Sequence, residues 1–173
     1  MSAERVLRVG VTGHRTFDGR EEAGRRVREG LRRVLALMER EGDGARTRIE
    51  LVSSLAEGAD RLVAHEVLAL PGTTLCAVLP FPVNDYARDF ETEESKAEYA
   101  ELLARAQTVE VMPPTPTREA GYVLQGRWVA EHSDILIAVW DGGGPRGRGG
   151  TAEIVTYAAE RGTLLLWVKV DRP

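Results

Sequence analysis

The feature of this chain that most constrains its fold is a regular alternation of short apolar runs with longer amphipathic segments. Apolar runs such as 74–79 and 135–140 lack alternating polar residues, which is typical of strands buried on both faces of a sheet. The segments between them carry apolar residues at helical spacing, as at Val27, Leu31 and Val34. Strands that alternate with helices predict an α/β fold, with a mostly parallel sheet and helices on both faces.

The alternation predicts about six strands and five main helices. The predicted strands cover residues 6–11, 49–53, 74–79, 108–112, 134–140 and 163–170. The predicted helices cover 20–41, which ends at Gly42–Gly44, and then 61–70, 93–106, 122–132 and 150–161. Residues 84–90 are predicted as a loop or a short helix. Because its 173 residues contain no linker or repeat, the chain is expected to form one domain over 1–173.

Composition and charge narrow the class of protein. The hydrophobic content of 43% and the charged content of 29% are ordinary for a globular domain. The formal net charge of -4 argues against a nucleic-acid partner, which usually selects a basic surface. The single cysteine, Cys76, lies in an apolar run and is interpreted as a buried thiol. No signal-peptide or membrane-spanning run is apparent, so we expect a cytoplasmic protein.

The glycine-rich segment after the fifth predicted strand is the strongest candidate for a ligand site. It reads Gly-Gly-Gly-Pro-Arg-Gly-Arg-Gly-Gly-Thr over 142–151 and leads into the last predicted helix. Glycines let a backbone approach a ligand closely, and the first N–H groups of a helix attract anions. Strand, glycine loop and helix start together predict a phosphate site. Its candidate contacts are Gly142, Gly143, Gly149, Gly150, Thr151 and Glu153.

Two familiar phosphate-binding motifs fit this segment poorly. A Walker A loop needs a lysine where Gly150 stands, which argues against hydrolysis of a nucleoside triphosphate. Residues 147–152 fit the dinucleotide pattern G-x-G-x-x-A, but that pattern normally occupies the first strand–helix unit. Arg146 and Arg148 flank the glycines and are interpreted equally well as phosphate ligands or as solvated charges.

Polar residues and glycines also follow the first three predicted strands. The carboxyl ends of parallel strands meet at one edge of a sheet, and ligands of such sheets bind outside that edge. We therefore expect these loops to join the glycine-rich segment in one site. The candidate ligand-binding residues in them are Gly13, His14, Arg15, Ser54, Glu57, Gly58 and Tyr86.

Several of these candidates have an expected role and an ordinary structural alternative. Arg15 is expected to neutralise a phosphate, and His14 to donate to a phosphate or stack on a base. Glu57 is a candidate for holding a ribose diol, although an acid before a helix is most often a cap, and the same alternative applies to Glu153. Tyr86 is a candidate for stacking on a base, with packing as its alternative. We expect a nucleotide or another phosphate-containing ligand and no metal.

Three segments resemble the SLOG superfamily of Rossmann-like proteins. They are Thr12-Gly-His-Arg15, Ser54-Leu-Ala-Glu-Gly-Ala-Asp60 and Gly149-Gly-Thr-Ala-Glu153, and the resemblance covers nearly the whole chain. The first segment looks YpsA-like, and the last is similar to the signature of the LOG phosphoribohydrolases. The resemblance implies a doubly wound Rossmann-like fold, a ligand such as ADP-ribose or an NAD-related compound, and a homodimer.

The LOG resemblance also implies an alternative function, hydrolysis of the N-glycosidic bond of a nucleoside monophosphate. Glu153 matches the LOG glutamate and would serve the ribose or the attacking water. The LOG arginine falls on Gln125 by ungapped counting, and Arg127 is the nearest arginine. The leading expectation is therefore binding or sensing of a nucleotide-derived ligand, with catalysis by Glu153 and Arg127 as the alternative.

Overall fold

A computed structural model describes residues 4–41 and 46–173 of the chain, so the predicted helix end at Gly42–Gly44 lies outside the described residues. The strands are β1 (Glu4–Gly13), β2 (Arg46–Ser53), β3 (Thr74–Leu79), β4 (Thr108–Val111), β5 (Ile135–Trp140) and β6 (Leu164–Lys169). The helices are α1 (Arg20–Glu41), α2 (Ala59–Leu68), α3 (Val83–Tyr86), α4 (Glu93–Ala104), α5 (Arg118–Glu131) and α6 (Thr151–Glu160). A single 3₁₀ turn at Ala87–Asp89 follows α3.

The six strands form one sheet in the order β4-β3-β2-β1-β5-β6, and every neighbouring pair is parallel. The predicted α/β fold is therefore confirmed, with a sheet that is parallel throughout. Val9 of β1 lies opposite Leu51 of β2 on one side and Ile135 of β5 on the other. The strand order reverses between β1 and β5, which makes the carboxyl ends of these two strands the switch point where such sheets bind ligands.

Helices cover both faces of the sheet, which explains why the strands lack polar alternation. Successive residues of β5 enter different cores: Ile137 packs with the core of α1, α2 and α4, and Leu136 with the core of α5 and α6. Both side chains are fully buried. Cys76 lies in the second core as predicted, and burial raises the pKa of its thiol.

Helix α5 begins at Arg118, four residues before the predicted start at Tyr122. The reason is a cap, because the Thr117 hydroxyl accepts a 3.1 Å hydrogen bond from the Ala120 N–H. The extra turn places Glu119 at the carboxyl edge of the sheet, three residues before Tyr122. In the described parts of the chain, no helix is long and apolar enough to cross a membrane.

Candidate functional site

A cavity of about 330 Å³ opens at the switch point, between the ends of β1 and β5 and the first turns of α5 and α6. Helices that follow parallel strands begin at the carboxyl edge, so loops from distant parts of the sequence converge there. Seven of the predicted ligand-binding residues line this cavity: Gly13, His14, Arg15, Ser54, Gly149, Gly150 and Thr151. The structure therefore brings the loop after β1 and the glycine-rich segment into one site.

The start of helix α6 faces the cavity. Gly150 is the residue before the helix and supplies no side-chain cap, and Thr151 begins the first turn. Gly149 has a φ of +74°, a conformation that favours glycine. Its N–H donates a 2.7 Å hydrogen bond to Glu153 Oε2, so this donor is already occupied. The helix start adds partial positive charge to the cavity wall.

Three arginines line the cavity, and their partners differ. The Arg148 side chain has no hydrogen-bond or ion-pair partner among residues 4–41 and 46–173, which leaves its guanidinium available. Arg15 lies over the Tyr122 ring, 5.4 Å from its centroid. Burial lowers the pKa of Arg15, but hydrogen bonding to Tyr122 and the charge of Asp89 outweigh it, so the pKa is raised overall. Arg15 is therefore a fixed cation at any physiological pH.

The third arginine, Arg172, belongs to a cluster with His14 and Asp141. Its Nε lies 3.1 Å from Asp141 Oδ2, and its Nη2 lies 3.1 Å from His14 Nδ1. His14 Nε2 lies 3.0 Å from Asp141 Oδ1. The Gly143 N–H, His14 and Arg172 together lower the pKa of Asp141. The cluster ties the end of β1, the end of β5 and the chain after β6 into one wall.

The loop after β2 is held in an unusual conformation beside the cavity. Asp60 Oδ2 accepts hydrogen bonds from Ser53 Oγ at 2.8 Å and from both Ser54 N and Oγ at 2.9 Å. Burial raises the pKa of Asp60, and these bonds oppose the rise. Leu55, the one described non-glycine residue with positive φ, follows at +58° with its side chain fully buried. Such strain persists only where surrounding contacts enforce it.

Gly58 and Glu57 lie beside the cavity and do not line it. A Cβ at Gly58 would lie 2.2 Å from the Arg15 carbonyl oxygen, so this glycine lets α2 approach the turn after β1. Gly58 lines an adjoining groove instead of the cavity. The Glu57 carboxylate lies in the same groove and accepts a hydrogen bond from Ser95. These positions do not bring Glu57 and Gly58 together with the glycine-rich loop.

Tyr86 is fully buried, so its ring cannot stack on a ligand base as predicted. It packs edge-on against Phe90, Tyr99 and Tyr122, with centroid distances of 5.0, 5.5 and 6.4 Å. Burial raises the pKa of its hydroxyl far above the usual range. Tyr99 and Tyr122, which help to cover Tyr86, come from other helices, so the sequence next to Tyr86 gave no sign of them.

Gly142 and Gly143 form the stem of the glycine-rich loop and do not line the cavity. Gly142 has a φ of +83°, and a Cβ there would lie 3.1 Å from the Trp167 ring. The Gly143 N–H donates a 2.9 Å hydrogen bond to Asp141 Oδ1. Both glycines therefore shape the turn that leads from β5 to the cavity.

The two candidate catalytic residues lie outside the cavity. Arg127 Nη2 lies 3.3 Å from Glu153 Oε1, and both side chains border a separate surface depression beside Tyr157. Glu153 also accepts a hydrogen bond from the Gly149 N–H, as a carboxylate that caps the start of a helix does. The carboxylate is thus engaged by a loop N–H and an arginine.

Sequence reasoning missed several residues that line the cavity, notably Glu119, Tyr122, Gln125 and Arg172. Gln125 stands where ungapped counting put the LOG arginine, and that count was the only signal for it. Arg172 lies 158 residues from its partner His14, so no local pattern links the two.

Comparison with models of known protein families gives no match to this chain. Comparison with curated proteins finds no significantly similar relative. The resemblance to SLOG proteins therefore stays a prediction, and the function is argued from the geometry of the cavity.

Proposed function

We propose that this protein binds a nucleotide or a nucleotide-derived, phosphate-containing ligand in the cavity at the switch point of its sheet. The observation that carries the proposal is the unpaired guanidinium of Arg148 beside the start of α6, in a cavity at the carboxyl ends of β1 and β5. Guanidinium groups and helix starts are the two protein features that most often hold phosphate.

The balance of charge in the cavity supports an anionic ligand. Three arginines line it, against the two acids Asp60 and Glu119. The Asp60 carboxylate already accepts three hydrogen bonds from Ser53 and Ser54. A ligand therefore meets an excess of positive charge near Arg148.

Size and lining support a small organic phosphate over inorganic phosphate alone. A volume of about 330 Å³ lies within the range of small-molecule pockets. The wall combines the apolar side chains of Val11 and Ile154 with the polar side chain of Gln125. A ligand that matches this lining has an anionic group at one end and a less polar group at the other, as a nucleotide does.

Binding is favoured over cleavage of an N-glycosidic bond by the position of Glu153. Its carboxylate pairs with Arg127 and with the Gly149 N–H, and it does not line the cavity. A general acid or base must reach the reacting group. The resemblance to SLOG proteins carries one further proposal, that the protein forms a homodimer.

Calorimetric titration with AMP, ADP-ribose, NAD and inorganic phosphate tests the proposal. We expect at least one organic phosphate to bind, and Arg148→Ala to weaken it about tenfold or more, because a charge-assisted hydrogen bond is lost. Arg146→Ala is the matched control, since Arg146 belongs to the same loop but does not line the cavity. Absence of binding to every probe by folded protein, or equal losses in both variants, would refute the proposal.

A further inference from the structure

Gln125 is a largely buried residue whose amide has no protein partner. The residue is 8% exposed, and it lines the cavity from helix α5. No residue in the described parts of the chain hydrogen-bonds with its amide. The chain's other glutamine behaves differently, because Gln107 Oε1 accepts a 2.6 Å hydrogen bond from the Leu75 N–H.

An amide that faces a cavity can form hydrogen bonds at both of its ends. The carbamoyl oxygen accepts and the NH₂ group donates, and leaving either unpaired away from water costs free energy. Since no described side chain or backbone group satisfies Gln125, its amide is available to a ligand that enters the cavity. A complementary molecule presents a donor beside an acceptor.

The surroundings of Gln125 favour a flat, largely apolar group. Val11 and Ile154 line the same cavity, as does Gly126. A Cβ at Gly126 would lie 2.7 Å from Ile154 Cδ1, so α5 and α6 approach closely at this point. The wall beside the amide is therefore formed by two closely packed helices.

Gln125 also lies further from the carboxyl edge of the sheet than Arg148. Helix α5 starts at the carboxyl edge of the sheet, and Gln125 follows Glu119 by six residues, which corresponds to a descent of about 9 Å along the helix. Arg148 and Thr151 lie at the edge, at the start of α6. A ligand with its phosphate at the edge can extend a ring toward Gln125.

We propose that the Gln125 amide is the specificity residue of the site and binds the hydrogen-bonding edge of a planar heterocycle in the ligand. The proposal rests on the proposed function, because it needs a phosphate-anchored ligand in the same cavity. Rotation of the amide lets it match either a donor–acceptor or an acceptor–donor edge. The ligand class is thus a nucleotide whose base carries a donor next to an acceptor.

Calorimetric titration with four probes tests the role of Gln125. AMP and IMP carry a donor beside an acceptor, purine riboside 5′-monophosphate lacks the donor, and ribose 5-phosphate lacks the ring. We expect AMP or IMP to bind about tenfold more tightly than purine riboside 5′-monophosphate, because losing that donor leaves the amide oxygen unpaired. Gln125→Leu should remove this preference and leave the affinity for ribose 5-phosphate unchanged.

Gln125→Met, which keeps the length of the side chain, serves as a second variant with the same expected result if the leucine variant unfolds. Gln107→Leu removes an amide outside the cavity and should lower thermal stability without changing the preference. The inference is overturned if the wild type shows no preference between the purine probes, or if both Gln125 variants retain it. If none of the four phosphates binds while ADP-ribose or NAD does, the inference is overturned and the proposed function stands; if ADP-ribose and NAD also fail to bind, the proposed function itself fails.

Discussion

At the scale of single residues, Gly58 shows how a glycine next to a site can act through shape. Its φ is +81°, and the Arg15 and His14 carbonyl oxygens would lie 2.2 and 2.5 Å from an added Cβ. The Ala59 N–H donates a 3.0 Å hydrogen bond to the His14 carbonyl, which links the start of α2 to the turn after β1. Gly58 therefore holds the backbone of two cavity residues in place.

Gly58→Ala is expected to destabilise the protein by about 3 kcal/mol, because the side chain meets both a strained backbone and two carbonyl oxygens. It should also weaken AMP binding, since His14 and Arg15 must shift. Urea unfolding and calorimetry measure the two effects. Gly147→Ala is the control: its φ is +93° with no atom within 4 Å of an added Cβ, so only about 1 kcal/mol is expected. Equal costs in the two variants would contradict the steric argument.

At the scale of elements, the Asp141 carboxylate connects three segments of chain. It lies 3.0 Å from His14 after β1 and 3.1 Å from Arg172 after β6, and it accepts the Gly143 N–H. These partners hold its pKa below the ordinary value of 3.8 in the folded state. The stabilisation is therefore present above about pH 4 and is lost as the pH falls through the lowered pKa.

Asp141→Asn should reduce stability at neutral pH, and the difference from the wild type should shrink as the pH falls below 3.8. Thermal unfolding between pH 3 and pH 7 measures this trend. Asp18→Asn provides the comparison, because no described residue forms a hydrogen bond or ion pair with the Asp18 side chain. A constant difference between wild type and Asp141→Asn at every pH would show that the carboxylate charge does not join these segments.

The elements themselves were largely predictable because their signals are local. Strand β3 has the predicted ends, and helix α1 begins at the predicted residue. Glycines after strands also located the walls of the cavity. Tyr86, Gln125 and Arg172 were misplaced or missed because packing between distant segments decides whether such side chains are buried, face a ligand or reach a partner.

At the scale of the whole molecule, the cavity exists only in the folded protein, because its lining residues are far apart in the sequence. Its walls include the loop after β1, the start of α6 and Arg172 near the end of the chain. A ligand that contacts all of these parts binds the folded protein but not the unfolded chain. Such binding stabilises the folded state by mass action. Ligand binding should therefore be visible in the unfolding of the entire domain.

An organic phosphate that binds in the calorimeter should raise the melting temperature. At a concentration of a hundred times Kd the stabilisation is about 2.7 kcal/mol, which corresponds to roughly 5 to 10 °C for a domain of this size. At the same ligand concentration, Arg148→Ala should show about half of that shift, because a tenfold weaker ligand contributes about 1.4 kcal/mol. Arg146→Ala should match the wild type. Differential scanning calorimetry makes the measurement, and a full shift in Arg148→Ala would place the ligand away from the start of α6.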